Sequence, residues 1–213
     1  MSAKARTYAR TDELLDLFEG RKDAIRKRLD EFAAIHPDEY FYELVYCLLT
    51  PQSSAINAGK AVEALKSADL FGKEIEPAEI LFRKHHYIRF HNTKAKRLQE
   101  VKKKYNDIRQ KLSNGSSSHE LRAWLVENVN GLGWKEASHF LRNIGHRELA
   151  ILDRHILKNL KKHGVIRSLP KTLTTKRYLV TEVKFKKFAH DVGISMDELD
   201  LLFWSNETGE ILK

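Results

Sequence analysis

The segment from residue 121 to residue 144 constrains the fold more than any other, because it joins two amphipathic helical patterns through a short turn. The turn spans residues 129–133 and contains Gly131 and Gly133. Glycine can adopt backbone torsions that other residues avoid, and because it has no side chain it lets a ligand approach the backbone closely. The amides at the start of the second helix point outward and suit a phosphate group. The segment therefore predicts a helix-hairpin-helix unit that binds a nucleic-acid backbone.

Helical periodicity recurs along the rest of the chain, and no pair of segments has the alternation typical of a β-hairpin. Only four prolines and ten glycines occur, which disfavours a many-stranded fold with frequent turns. The predicted fold class is therefore all-α. The predicted helices cover residues 12–34 with a break at Gly20, 38–49, 55–65, 76–85, 93–112, 119–128, 134–144, 153–163, 176–189 and 195–204.

The charge balance points to an anionic partner. The chain carries 38 lysines and arginines against 29 aspartates and glutamates, which gives a formal net charge of +9. An excess of this size indicates a nucleic acid or another anionic surface as the partner. The alternative is a lysine-rich protein whose charges only keep it solvated.

The remaining composition limits the class of protein. Cys47 is the single cysteine, which excludes a disulfide framework and a cysteine-ligated iron–sulfur cluster within one chain. No apolar run approaches the roughly 20 residues of a membrane span, and no apolar segment follows the basic N-terminus as in a signal peptide. We therefore expect an intracellular protein. The shortage of glutamine (Gln52, Gln99 and Gln110) beside many charged residues favours a thermophilic source.

Lys135 occupies the first turn of the second hairpin helix, where the helix dipole disfavours a positive charge. The same field favours the neutral amine, which is the form that a nucleophilic lysine needs. Lys135, His139 and Arg142 share a helix face separate from the apolar stripe, and this face is predicted to line a cleft. The alternative is that Lys135 is one more surface lysine.

Asp153 stands at the start of the next predicted helix. Aspartate is a common N-cap residue, which is a purely structural role. The apolar residues 150–152 before it are expected to bury the carboxylate partly. A buried carboxylate that faces a lysine stabilises positive charge developing on a sugar ring. Capping and catalysis are compatible, so both interpretations stay open.

The central segment resembles a known superfamily. The hairpin glycines, the lysine two residues beyond the second of them and an aspartate after an apolar loop lie within residues 125–160. Together they resemble the helix-hairpin-helix and Gly/Pro-Asp loop of the endonuclease III and 8-oxoguanine DNA glycosylase superfamily. Residues 48–53 resemble its Leu-Leu-x-x-Gln segment, and residues 90–95 resemble its Asn-x-Lys-Ala turn.

The C-terminal segment resembles one particular branch of this superfamily. Residues 201–213, which end in Lys213, are similar to the ending of the compact archaeal branch of 8-oxoguanine DNA glycosylase/AP lyase. The four-cysteine cluster of endonuclease III is absent from this sequence, which argues against the iron–sulfur branch. The resemblance implies two helical lobes with the hairpin and the Gly/Pro-Asp-type loop at the cleft. One lobe is expected to have six helices over residues 40–145, and the other to combine residues 1–39 with 146–213.

The resemblance also implies a reaction. A damaged base is expected to be flipped out of the duplex and removed, with Lys135 attacking C1′ and Asp153 stabilising the cationic transition state. The resulting Schiff base then permits β-elimination, which cuts the strand 3′ to the lesion. Two alternatives stay open: a glycosylase of the same fold for oxidised pyrimidines or mismatched bases, and a non-catalytic helix-hairpin-helix DNA-binding protein.

Further roles follow from the resemblance alone. The expected partner is double-stranded DNA containing 8-oxoguanine, and the protein is expected to be a monomer in the cytoplasm, associated with the nucleoid. No side chain is expected to bind a metal, although the hairpin is expected to offer a monovalent cation the carbonyls of Glu127, Val129 and Leu132. Base recognition is expected from Lys213, Trp204, Phe90 and His139, and DNA binding from Gln52, Gly131, Gly133 and His155.

Overall fold

The computed structural model describes residues 8–211, without the side chain of Thr208, and these residues form helices and no strand. The predicted all-α fold class is confirmed for this part of the chain. The helices are α1 Thr11–Glu19, α2 Lys22–Ala33, α3 Tyr40–Leu49, α4 Ala55–Ser67, α5 Pro77–Leu81, α6 His91–Leu112, α7 Ser118–Asn128, α8 Trp134–Asn143, α9 Arg154–Lys162, α10 Thr175–Val192 and α11 Met196–Thr208. Single 3₁₀ turns lie at Pro37–Glu39 and Lys84–His86.

Local capping signals place several of the helix starts. The Ser54 hydroxyl accepts the Asn57 amide at 3.4 Å and so caps α4. Ser195 and Glu198 form a reciprocal capping box at the start of α11, and Pro77 lies at the first position of α5. Such contacts satisfy amides that have no partner within the helix. The sequence therefore predicted these helix starts correctly.

Two predicted helix ends are wrong. The helix predicted over residues 76–85 ends at Leu81, because the buried His86 ring bonds the Ile80 carbonyl at 2.8 Å and the chain continues as a separate 3₁₀ turn. The last helix continues past Trp204 to Thr208, and Gly209 follows it with a φ of 83°. A left-handed glycine is a common helix terminator, and this signal predicts the observed end better than the aromatic residue does.

The described residues pack into two compact units, one formed by residues 8–32 with 147–211 and the other by residues 33–146. The first unit contains α1, α2 and α9–α11, with Phe185, Phe188 and Leu199 among its fully buried side chains. The second unit contains α3–α8. The lobe boundaries given above, residues 40–145 for one lobe and residues 1–39 with 146–213 for the other, stay a prediction.

Helix α3 is the centre of the second unit, because α4, α6 and α8 all pack against it. Its residues from Phe41 to Leu49 are buried with the exception of Tyr42. No helix in residues 8–211 is both long and apolar enough to cross a membrane.

Candidate active site

The hairpin between α7 and α8 is built from backbone hydrogen bonds. The Val129 amide donates to the Leu125 carbonyl at 2.9 Å, and the Leu132 amide donates to the Val129 carbonyl at 3.1 Å. Leu132 is buried beneath the turn, so the chain reverses around an apolar anchor. The predicted helix-hairpin-helix geometry is therefore present within the second unit.

The two hairpin glycines have different structural roles. Gly131 has a φ of 97°, a region that residues with a side chain rarely adopt. A Cβ atom there would lie 2.6 Å from Cδ of Arg97, which crosses the turn. Gly133 has φ −88° and ψ −178°, which any residue can adopt. The expectation that both glycines need special torsions is therefore wrong for Gly133.

Replacing Gly131 by alanine is expected to destabilise the protein by about 1–2 kcal/mol, because alanine disfavours the left-handed backbone. The flexible Arg97 side chain must also move away from the new Cβ atom. Gly133→Ala is the matched control. Its new Cβ meets only the flexible Glu136 carboxylate, at 3.0 Å, so a change of less than about 1 kcal/mol is expected. Urea unfolding measures both variants, and equal destabilisation by the two would contradict this assignment.

Lys135 lies on the first turn of α8 with 32% of its side chain exposed. Its Nζ atom forms an ion pair with the Glu136 carboxylate at 3.0 Å. Glu136 also lies in the first turn, where a negative charge interacts favourably with the helix dipole. The neighbouring carboxylate therefore compensates part of the positive charge that the helix dipole disfavours at Lys135.

The predicted cleft-facing surface of α8 is wrong for Arg142 and stays a prediction for Lys135 and His139. His139 is half-buried and packs edge-on against the Tyr46 ring, with 5.8 Å between the ring centroids. Arg142 is buried and donates to the Asn143 side chain at 3.1 Å, and Asn143 donates in turn to Glu43 at 3.1 Å. Arg142 therefore belongs to a buried polar cluster between α8 and α3, and it does not line a cleft.

Asp153 caps α9 in the first unit. One carboxylate oxygen accepts the amides of His155 and Ile156, both at 2.8 Å. Asp153 itself is half-buried, and residues 150–152 before it are buried. The structural interpretation of this residue is therefore confirmed, and the carboxylate keeps a second oxygen that these two amides do not use.

Helix α10 holds the segment that leads to Asp153. The Glu182 carboxylate accepts the Ala150 amide at 2.8 Å. The Tyr178 hydroxyl donates to the Ala150 carbonyl and accepts the Leu152 amide at 3.4 Å. Buried polar groups are costly unless they are paired, so these contacts define the path of the backbone before the cap. The sequence analysis did not identify Tyr178 or Glu182, since their partners are about 30 residues away.

His155 and Trp204 lie close together in the first unit. Their ring centroids are 6.4 Å apart, and Nδ1 of His155 lies 3.4 Å from a carboxylate oxygen of Glu207. Trp204 is half-buried. The structure thus brings a predicted DNA-contacting residue and a predicted base-contacting residue into one cluster.

Gln52 and Phe90 share an unusual backbone conformation in the second unit. Both are exposed, and both have left-handed torsions, with φ 57° and φ 59°. The Arg89 guanidinium lies over the Phe90 ring at 4.8 Å from its centroid. The Arg89 amide donates to the Ser53 hydroxyl at 3.1 Å, which links the two segments.

Lys94 on α6 is a buried charged residue of the second unit, and it is only 2% exposed. Its ammonium group contacts the segment around Gln52. Burial, with the nearby charges of Arg97 and Lys135, lowers the pKa of Lys94 to about 8. Its place in the Asn-x-Lys-Ala turn was the available signal, although periodicity alone does not distinguish a buried lysine from a solvated one.

The remaining predicted groups stay predictions. Lys213 lies outside the described residues. The Val129 carbonyl, one of three proposed for a monovalent cation, already accepts the Leu132 amide. Within residues 8–211, no group of three or more histidine, cysteine, aspartate or glutamate side chains is arranged to hold a metal ion.

Comparison with known proteins identifies close relatives. An 8-oxoguanine DNA glycosylase/AP lyase from Fusobacterium nucleatum is 42% identical over 214 residues, which covers 95% of this chain and 97% of the relative. The enzyme of the same name from Korarchaeum cryptofilum is 40% identical, with 90% of this chain and 91% of the relative covered.

Solved structures that resemble this chain belong to the same class of enzyme as these relatives. The crystal structure of the Methanocaldococcus jannaschii 8-oxoguanine DNA glycosylase matches with a TM-score of 0.84 at 32% identity, and 95% of each chain is covered. The structure of that glycosylase/lyase with a 15mer DNA containing 8-oxoguanine matches with a TM-score of 0.83 at 32% identity, covering 94% of this chain and 100% of that one. A family model described as 8-oxoguanine DNA glycosylase matches residues 25–194. The resemblance found in the sequence is thereby confirmed, and the chain belongs to the 8-oxoguanine DNA glycosylase family.

Proposed function

We propose that this chain is a bifunctional 8-oxoguanine DNA glycosylase and AP lyase. The observation that carries the proposal is a half-exposed amine, Lys135, directly after the hairpin of a chain that matches named glycosylase/AP lyases over nine-tenths of its length. Only a nucleophilic amine gives one protein both activities, because it leaves a Schiff base on the sugar after the base departs.

In the first step, the lone pair of the Lys135 amine forms a bond to C1′ of the flipped nucleotide. The glycosidic bond breaks, and its electrons leave with the base, which takes up a proton. The Asp153 carboxylate stabilises the positive charge that builds up on the sugar ring. Its second oxygen is the one available for this role, because the first caps α9.

In the second step, the attached amine loses its extra proton, the C1′–O4′ bond breaks and the ring oxygen takes up a proton, which leaves a protonated imine at C1′. With Asp153 assisting, a C2′ proton is transferred to a base, and the C3′–O bond breaks so that the 3′ phosphate leaves with its electron pair, which is β-elimination. The imine acts as the electron acceptor, so no external oxidant or cofactor is needed. Hydrolysis of the imine regenerates the Lys135 amine.

Duplex binding rests on charge and on the hairpin backbone. The net charge of +9 favours a polyanion. No side chain caps the start of α8, which leaves its first amides for a phosphate oxygen. His155 adds a second phosphate contact, and Gln52 fills the space that the flipped base leaves. Base recognition is assigned to Trp204, Phe90, His139 and the Lys213 terminus.

Borohydride trapping on matched duplexes tests the substrate. A covalent adduct is expected with an 8-oxoguanine duplex, and much less with thymine glycol, a mismatch or undamaged guanine. An adduct on thymine glycol or a mismatch but not on 8-oxoguanine would assign the chain to another lesion. Binding without any adduct would indicate the non-catalytic alternative.

Two further properties are proposed with this function. A monomer suffices, because one chain carries both Lys135 and Asp153. A cytoplasmic, nucleoid-associated location follows from the DNA substrate, and the thermophilic source remains a proposal from composition.

A further inference from the structure

One buried ammonium group connects the two left-handed segments of the second unit. Nζ of Lys94 donates to the Leu49 carbonyl at 2.7 Å, to the Pro51 carbonyl at 2.7 Å and to the Ser53 hydroxyl at 3.1 Å. An ammonium group has three protons, so these acceptors use all of them. Lys94 is 2% exposed, and its charge is held entirely by protein oxygens.

The three acceptors surround Gln52 along the chain. Leu49 ends α3, and Pro51 and Ser53 are the immediate neighbours of Gln52. A left-handed torsion is unfavourable at a non-glycine residue, and it persists only where surrounding contacts determine it. The bonds to Lys94 on both sides of Gln52 supply that constraint.

Ser53 also links Lys94 to the segment that contains Phe90. Ser53 accepts one hydrogen bond from Lys94 and another from the Arg89 amide at 3.1 Å. Phe90 follows Arg89 with its own left-handed torsion and begins α6, the helix that carries Lys94. Lys94 and Ser53 therefore tie the two exposed side chains to one framework.

We propose that Lys94 is a positioning residue that holds Gln52 and Phe90 in the conformation needed to bind a duplex opened at the lesion. The proposal rests on the proposed function, since it assigns these two side chains to the DNA around a flipped nucleotide. Lys94 does not itself attack the sugar, because its three protons are committed and it is buried.

The unfavourable free energy of burying the Lys94 ammonium group supports a specific role for this residue. Burial and the neighbouring Arg97 and Lys135 charges oppose an ammonium group here, which is why the pKa of Lys94 falls to about 8. A lysine kept at such a site without an anionic partner among its three acceptors is expensive. An apolar residue of similar length would fill the space at lower cost but would leave the carbonyls of Leu49 and Pro51 unbonded.

Lys94→Met tests the proposal, with Lys102→Met as the matched control. Lys102 lies on the same helix and also donates to a loop carbonyl, that of Lys73, at 2.7 Å, but it touches neither Gln52 nor Phe90. The assay is affinity for a duplex with a stable abasic-site analogue, compared with single-turnover cleavage of a pre-formed abasic site in a single strand.

Lys94→Met is expected to weaken binding of the abasic-analogue duplex by about tenfold, which corresponds to about 1.4 kcal/mol. Cleavage in the single strand is expected to change less than about threefold, since no opposite strand is present. Lys102→Met is expected to weaken duplex binding by less than about twofold, through the loss of one positive charge, and to leave single-strand cleavage unchanged. Lys94→Gln, which retains two amide protons, is expected to restore part of the duplex affinity.

A double-mutant cycle with Gln52→Ala supplies the decisive readout. If Lys94 acts through Gln52, the effect of Gln52→Ala is largely absent when Lys94→Met is already present. Full additivity of the two losses would overturn the proposal. So would equal losses in duplex binding and single-strand cleavage, which would indicate a general structural role.

Two further outcomes keep the test interpretable. If Lys94→Met does not fold, Ser53→Ala removes only the shared hydroxyl and is expected to weaken duplex binding in the same direction, and unchanged binding would overturn the proposal. Failure of the wild-type protein to cut 8-oxoguanine DNA would refute the proposed substrate, whereas the abasic-analogue measurements would still decide the role of Lys94.

Discussion

Lys135→Gln is expected to abolish the borohydride-trapped adduct and to slow strand cleavage at 8-oxoguanine by at least about a thousandfold. The amide nitrogen of glutamine has no nucleophilic lone pair, so neither the bond to C1′ nor the imine can form. Glutamine still fits the half-exposed first turn of α8, and the replacement removes the ion pair with Glu136. Stability is therefore expected to change by less than about 1 kcal/mol.

Lys103→Gln is the control for this result. Lys103 is exposed on α6, and its replacement removes the same charge from the protein. Both variants are expected to lose a similar small part of their non-specific DNA affinity, but only Lys135→Gln is expected to lose the adduct. A trapped adduct in Lys135→Gln would assign the nucleophile to another amine and would refute the mechanism.

Asp153→Asn is expected to reduce single-turnover cleavage by about a hundredfold or more while the protein remains nearly as stable as the wild type. Asparagine caps helices about as well as aspartate, so its oxygen can accept the amides of His155 and Ile156 as the carboxylate does. It cannot supply the negative charge that opposes the charge on the sugar. Asp153→Ala removes both functions and is expected to cost about 1 kcal/mol of stability in addition.

Tyr178→Phe separates backbone support from catalysis. The missing hydroxyl leaves the Ala150 carbonyl and the Leu152 amide without that partner, which is expected to cost about 1–3 kcal/mol. The carboxylate itself is untouched, so cleavage is expected to fall much less than in Asp153→Asn. If Tyr178→Phe cleaved DNA as slowly as Asp153→Asn, the slow cleavage by Asp153→Asn could be explained by a displaced backbone. It would then be no evidence that the negative charge of Asp153 takes part in catalysis.

Local hydrogen bonding explains which parts of the fold were predictable. Helices beginning near residues 55 and 195 and a cap at Asp153 were predicted, and in each case a cap side chain bonds amides two or three residues away. Helical periodicity placed the other helices, because it too depends on residues only three or four positions apart. The errors lie where a distant partner intervenes, as when the His86 ring bonds the end of α5.

In the hairpin, too, the residue types were predictable from the sequence, but the contacts with distant residues were not. Its glycines, its lysine and its place between α7 and α8 were all predicted from the sequence. The tertiary structure alone shows that Gly131 needs its left-handed torsion and lies under Arg97, whereas Gly133 has an ordinary extended backbone. It also shows that the Glu136 carboxylate pairs with Lys135.

By itself, the sequence determined the all-helical fold, the hairpin motif and the candidate pair of Lys135 and Asp153, because these depend on residue types at short spacing. Only the tertiary structure decided which charged groups are buried. Arg142 and Lys94 have the residue type and helical spacing of surface cations, yet both are buried. Arg142 bonds the neighbouring Asn143 side chain, which bonds Glu43 of α3, and Lys94 bonds oxygens from a distant segment. Burial depends on whether distant oxygens can replace water around a charge, and for Lys94 these oxygens lie 41 to 45 residues away in the sequence.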